Sequence, residues 1–338
     1  MGTSEELPSS PDRGERPLLG IHHITALASD PQRNIDFYVR ILGLRLVKRT
    51  VNFDAPDVYH LYYGDESGAP GTILTFFPFP DAGRGRRGFG EVGALSFDVP
   101  PGARDYWIHR LSQHGIGFHG PNRRFGQEVL SFEDPDGLSI DFTFSGNKRT
   151  SRSWRDSPVP GEFSIKGLAG ATLIYRHSGG TATMLTSLLG FHSAGSEGGR
   201  ERYHVGVGEN LGTIDLVHDP NARPARPGAG SIHHIAWRVP KDDHQTAWRT
   251  RIGESGHNVT EIVDRQYFRS IYFHEPGGVL FEIATDEPGF MVDESRETLG
   301  TTLKLPPWLE QHRGQLERVL PPVDISPVRH SQRHSSLH

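Results

Sequence analysis

Hydrophobic positions along the chain fall in short alternating runs, and one order recurs four times: an alternating run, a helical stretch, a glycine, then further alternating runs. The clearest copy opens with IHHITALASD at 21–30, shows helical spacing of apolar residues from Gln32 to Ile41, and resumes with LGLRLV at 42–47 and GTILTFFP at 71–78. The last copy repeats it with IHHIAWRVPK at 232–241, a helix over Asp243 to Ile252, SGHNVTEIV at 255–263 as the next strand, and GGVLFEIA at 277–284. Alternation of period two marks half-buried strands, and the 3.6 period marks the helices between them. Two weaker copies lie in the middle, one from 92–116 with EDPDGLSIDFTF at 133–144, the other from 168–176 with a helix over Gly180 to Leu189 and a close at 203–219. The pattern predicts an α+β fold of four βαβββ modules. A module with one apolar sheet face cannot bury it alone, so the modules are expected to pair as curved cups.

The boundaries follow from where the pattern stops. Residues 1–17 and the stretch from Asp324 are polar and aperiodic, and 145–164 is polar and proline-containing. The expected organisation is a disordered tail over 1–17, a first two-module domain over 18–144, a linker over 145–167, a second domain over 168–290, and a C-terminal extension and tail over 291–338.

Composition narrows the chemistry. The 40 Gly and 25 Pro suit a strand-rich, turn-rich chain, and 36 basic against 41 acidic residues leave a net charge of −5, which offers nucleic acid no basic face. No apolar run approaches the ~18 residues of a membrane span, and the polar start MGTSEELPSSPDRGERP lacks the apolar core of a secretory signal. The expected location is cytoplasmic, with neither membrane nor nucleic acid as partner and with homo-oligomerisation left open. There is no Cys, so thiolate metal sites, iron–sulfur clusters and thiol nucleophiles are excluded, and any metal must be held by nitrogen and oxygen. The run GRGRRG at 83–88 lacks the context of a phosphate loop and reads as an exposed connection.

Two His-His pairs stand in the same tetrapeptide, IHHI, at the start of equivalent strands. Alternation should turn one histidine of each pair into the cup and the other away. Glu282 sits in the middle of the otherwise apolar GGVLFEIA, where a lone carboxylate would be costly unless paired, protonated or metal-bound. Two neutral imidazoles and a carboxylate are the ligand set of non-haem Fe(II) oxygenases, which leaves three coordination positions open.

Several stretches together resemble the vicinal oxygen chelate superfamily, and within it the hydroquinone-cleaving dioxygenases of the 2,6-dichlorohydroquinone 1,2-dioxygenase type. They are HHIT at 22–25, LGLRLVKRTVNFD at 42–54, YHLYYGDESGAPGT at 59–72, RFGQ at 124–127, the IHHIA pair, DRQYFRSIYFHEPGGVLFEIA at 264–284 and ETLGTTLKLP at 297–306. The resemblance implies that the second histidine of each pair is a ligand, so that His23 and His234 join Glu282 at Fe(II), with Mn(II) accepted by the same ligands. Ligands this far apart in sequence imply that modules one and four share one cup and modules two and three the other. It also implies that Arg265, Tyr272 and Thr25 lie beside the substrate and that His233 is the acid/base group. His22 is left without a role, and His60 is expected to be structural, with a place near the pocket mouth as the alternative. In the other cup, Ala94 and Asp141 fall at ligand positions and module three opens without a histidine, so one functional site is expected.

The implied activity is a metal-dependent, extradiol-type insertion of dioxygen into a hydroquinone or related phenol, with a small aromatic molecule and dioxygen as partners. A glyoxalase-like isomerase or lyase is the main alternative, and it would want a further carboxylate where Thr75 stands. A metal-free binding protein is the third reading, and the symmetric His23, His234 and Glu282 set counts against it.

Overall fold

The structure, a computed structural model, describes residues 16–146, 151–206, 208 and 211–326. The tail over 1–15, four residues of the expected linker and the C-terminal tail from 327 lie outside the described residues.

The first module runs β1 (Ile21–Ala28), α1 (Pro31–Ile35), β2 (Arg45–Asn52), β3 (Ala55–Gly64) and β4 (Ile73–Pro78). The second is β5 (Glu91–Val99), α2 (Arg104–Gln113), β6 (Phe118–Arg124), β7 (Gln127–Glu133) and β8 (Ser139–Phe144). The third is β9 (Gly167–Tyr175), α3 (Gly179–Thr183), β10 (His192–Glu197), β11 (Arg200–Val205) and β12 (Gly212–His218). The fourth is β13 (Ile232–Val239), α4 (Asp242–Glu254), β14 (Val263–Asp264), β15 (Phe268–His274) and β16 (Leu280–Pro288). The four-module α+β reading therefore holds. Helix α1 starts as its sequence dictates, with Pro31 in the first turn and Asp30 accepting from the Arg33 amide at 2.8 Å. It continues as a wider π-helical turn over Asp36–Ile41.

Two eight-stranded sheets result, in the orders β14-β15-β16-β13-β1-β4-β3-β2 and β10-β11-β12-β9-β5-β8-β7-β6. Modules one and four share the first sheet, and modules two and three share the second. In each sheet the opening strands of the two modules pair antiparallel at the centre, β1 with β13 and β5 with β9, and each carries its own module's closing strand in parallel on its other side. The main apolar cluster runs through both sheets and under their helices, with Trp107, Trp237 and Tyr38 among its largest buried side chains, and a smaller one gathers around Tyr62 and Tyr267.

One expected strand is mostly absent. Of 255–263, only Val263 joins a ladder, as the start of β14, and Val259 makes an isolated bridge to Phe273. This stretch lies at the sheet edge with most of its residues exposed, and little beyond Val259, which packs against the core, holds it extended.

The C-terminal extension is anchored against the first sheet. Lys48 on β2 is fully buried, and its ammonium reaches Asp293 and Glu294, each at 2.5 Å, while Lys304 donates its amide to Arg49. Gly300 lies with φ +78 against the Leu46 carbonyl, where a Cβ would come within 1.9 Å of the oxygen. Short helices α5 (Pro307–Glu310) and α6 (Arg313–Val319) follow.

Candidate metal centre

The seam between β1 and β13 positions the histidines. His23 pairs with Ala236 and Thr25 with His234, while the register slips once between Ile21 and His23 and again between Thr25 and Ala26. Each slip leaves one extra residue on one strand, His22 on β1 and His233 on β13. The bulges overturn the expected alternation: the two histidines of a pair do not point to opposite faces but meet edge to edge. His22 Nδ1 lies 2.9 Å from His23 Nδ1, and His233 Nδ1 lies 2.8 Å from His234 Nδ1.

His23, His234 and Glu282 come together as the sequence led one to expect. The two Nε2 atoms lie 3.3 Å apart, and Glu282 Oε2 lies 2.9 Å from that of His234 and 3.4 Å from that of His23. All three residues are buried, and among the described residues they are the one group of three potential ligand atoms that lie within 4.8 Å of one another. Glu282 stands opposite Ala236 on one side and Tyr272 on the other, and its Oε1 accepts from the Ser270 hydroxyl at 2.5 Å. Its Oε2 is buried without a hydrogen bond, although imidazole nitrogens surround it.

That orphaned oxygen tests whether the group fits a metal. An unsatisfied buried carboxylate oxygen is expensive in any other setting, and here it converges with two imidazole nitrogens on one point. Burial opposes ionisation of Glu282, but His23 and His234 hold its carboxyl well below the usual range. Burial lowers the His234 imidazole too, favouring the neutral form that binds metals. The bulges complete the arrangement. If His22 and His233 accept at Nδ1, each ligand histidine carries its proton there and turns the Nε2 lone pair inward, as metal-bound histidines require. The donor set fits a divalent ion that takes nitrogen and oxygen ligands.

The cavity over this group has a volume of about 210 Å³ and is lined in part by Thr25, Phe77, His233, Arg265, Phe268 and Tyr272. All four residues expected beside the substrate therefore face it. Arg265 Nε lies 3.1 Å from the Tyr272 hydroxyl and its Nη1 lies 3.1 Å from Asp54 at the rim. Burial opposes the charge on Arg265, but Tyr272 and Asp54 more than offset this and keep it protonated. Burial, then the Glu282 charge, raises the Tyr272 phenol above its ordinary range. His233 is pushed down to about 4 by burial and by His234, so it stands neutral.

Sequence reasoning left two groups without a role in the site. His60, expected to be structural with the pocket mouth as the alternative, lines the cavity with Tyr62, and Asp54 pairs with Arg265. The signal for His60 was present in YHLYY, since period two puts His60 and Tyr62 on one face of β3. His22 lies behind His23 against Phe268.

The second sheet forms a cavity of about 300 Å³. At the positions equivalent to His234, His23, Glu282 and Thr75 stand Ala94, Gly170, Asp141 and Asp215, by the same ladder registers. Arg124 pairs with Asp141, and Arg202 holds Asp215 through two bonds of 2.7 and 2.8 Å. Arginine occupies the carboxylates there.

Comparison with known proteins places these observations. The model of the Glyoxalase/Bleomycin resistance protein/Dioxygenase superfamily matches residues 20–142 and 171–283. The chain is 45% identical over 307 residues to MhqO of Bacillus subtilis (strain 168), covering 91% of this chain and 97% of that protein. It is 36% identical over 309 residues to the chlorohydroquinone/hydroquinone 1,2-dioxygenase of Sphingobium indicum, covering 89% and 95%. A crystal structure of a Bacillus subtilis protein superposes with a TM-score of 0.89 at 43% identity, over 93% of this chain and all of that one.

Proposed function

The chain belongs to the glyoxalase/bleomycin resistance protein/dioxygenase superfamily, and within it we propose a metal-dependent, extradiol-type dioxygenase that opens the ring of a hydroquinone or related phenol. The observation that carries this reading is the convergence of His23, His234 and Glu282 on one point beneath a cavity walled by aromatic rings and one arginine. Three protein ligands leave room for both a substrate oxygen and dioxygen, whereas Thr75 stands where a glyoxalase-type site would place a further carboxylate. Fe(II) is the proposed ion, with Mn(II) accepted by the same donors. When bound, the metal would acidify the substrate hydroxyl and pass an electron between ring and dioxygen, which do not react directly.

The remaining steps belong to the protein. Arg265, charged and half buried at the cavity wall, balances negative charge that develops on oxygen as the ring is attacked. Tyr272 keeps its proton and, held by Arg265, donates to a substrate or product oxygen. His233, neutral with Nδ1 accepting from His234 and its proton on Nε2, acts as the acid and donates to the oxygen that turns negative as the ring is attacked. Phe77 and Phe268 exclude water around the ring, and Thr25 supplies a hydroxyl contact on the β1 side.

The test is anaerobic loading with Fe(II) followed by a panel of hydroquinones, substituted hydroquinones and catechols with oxygen uptake measured, and methylglyoxal–thiol adducts run in parallel. One dioxygen consumed per diol, with an open-chain acidic product, is the expected result. Isomerisation of the thiol adducts without oxygen, and no turnover of any diol, would overturn it.

A further inference from the structure

The first module's share of the cavity wall holds an ordered array of neutral groups. Thr75 pairs with Tyr62 on β3 and with Thr25 on β1. Glu282 pairs with Tyr272 on β15 and with Ala236 on β13 in the same registers. Thr75 therefore stands where the fourth module has its carboxylate. The likeness extends one step further. Ser270, two residues before Tyr272, donates to Glu282, and His60, two residues before Tyr62, lies with its Nε2 2.9 Å from Thr75 Oγ1.

The hydrogen bonds continue at both ends. The Tyr62 hydroxyl lies 2.8 Å from His60 Nδ1, and Thr75 Oγ1 donates to Thr25 Oγ1 at 2.9 Å. The direction of the chain is set at Tyr62. Its side chain is buried, and burial raises its phenol well above the ordinary range, so the proton stays on oxygen. Among the described residues His60 is its only hydrogen-bond partner, and a buried hydroxyl proton left unpaired is costly, so Tyr62 donates. His60, accepting at Nδ1, must then carry its proton on Nε2 and donate to Thr75. Thr75 passes its own proton toward Thr25. The Thr25 oxygen is thereby filled as an acceptor, and among the described residues its proton has no acceptor other than what occupies the cavity.

We infer that Tyr62, His60 and Thr75 form a one-way hydrogen-bond chain that fixes the Thr25 hydroxyl as a donor to the oxygen of a bound phenol or diol, with His60 as the positioning residue. A lone threonine hydroxyl rotates freely between donating and accepting, and the chain removes that freedom before the ligand arrives. The His60 ring is itself held between Tyr62, at 3.9 Å between centroids, and Phe77, at 4.3 Å. This inference rests on reading the cavity as a phenol-binding metal site, and its experiment is separate from oxygen uptake.

The full-length protein, loaded with Fe(II) under argon, is titrated with 4-nitrophenol and followed by absorbance. His60→Leu and Thr75→Val are expected to weaken binding about tenfold, the loss of one hydrogen bond to an anionic oxygen, with iron content unchanged. His60→Gln, whose amide accepts from Tyr62 and donates to Thr75, is expected to restore affinity to within about threefold of wild type. Side-chain 15N spectra with Zn(II) in place of iron should show His60 protonated on Nε2. The inference is overturned if His60 carries its proton on Nδ1, if the Leu variant binds the probe as wild type does, if Gln is no better than Leu, or if wild type does not bind the probe. Should these results hold while no diol consumes oxygen, the dioxygenase reading falls and the chain stands.

Discussion

The Nε2 atoms of His23 and His234 lie 3.3 Å apart although 211 positions separate the two residues in the chain. Only the antiparallel pairing of β1 with β13 brings them together, and the paired bulges at His22 and His233 set the direction of each ring. The centre is thus built at the seam between modules that are farthest apart in sequence, and Glu282, one strand away from β13, completes it.

A graded loss of metal follows. His22→Ala removes only the partner at His23 Nδ1 and is expected to weaken metal affinity by about 10–100-fold. Glu282→Gln and alanine at His23 or His234 remove a donor and should weaken it further. Chelator competition on each purified variant measures this, and equal affinity across the series would remove the three residues as ligands.

Arg265→Ala is expected to keep its metal and to lower kcat/KM about 10²–10³-fold, because the guanidinium acts on charge that develops during the reaction. Asp54→Asn should cost far less, since its carboxylate is exposed and its pairing with Arg265 is screened by water. Oxygen uptake alongside metal analysis separates the two effects.

Lys48→Met should destabilise the fold by about 3–5 kcal/mol, because it strips the buried partner from Asp293 and Glu294. Urea denaturation gives the loss. Limited proteolysis should then cut first near 290–305, where the extension depends on this contact.

Burial pushes the Glu91 carboxyl from 4.5 up to about 7, against the opposing Gly88 amide and Arg87. The folded protein therefore binds this proton more tightly than the unfolded chain. The stabilisation is complete below the ordinary value and is lost as pH rises through about 7. Glu91→Gln keeps an acceptor for Gly88 and cannot ionise, so the stability of wild type relative to the variant should fall between pH 5 and 8 by up to about 3 kcal/mol. Denaturation at four pH values across that range measures it.

Much of the candidate centre was legible because its signals are local. IHHI occurs at two equivalent strands, and a glutamate in an apolar strand asks for a partner whatever the fold. The bulges were not legible, since they arise from the register between β1 and β13 and no alternation within either strand encodes them. His60 was only half legible for a related reason: it bonds to Thr75, and Thr75 to Thr25, on two other strands. Lys48 offered no local sign of its buried role, because Asp293 and Glu294 reach it from an extension with no apolar period. The edge stretch at 255–263 shows the opposite failure, a strand propensity with little beyond Val259 to pack.

The two sheets are nested along the chain like one pair of brackets inside another, the second sheet spanning 91–218 and the first opening at 21 and closing at 288. A chain growing from the ribosome can complete the inner sheet while the outer one still lacks half its strands. During that interval the side of β1 that will pair with β13 waits as an unpaired edge beside an already folded neighbour, at a stage when aggregation competes with folding. His23 is made early and the proposed metal set is incomplete until Glu282 has been synthesised, so on this proposal metal capture would mark the end of folding and partial chains would be spared from binding it.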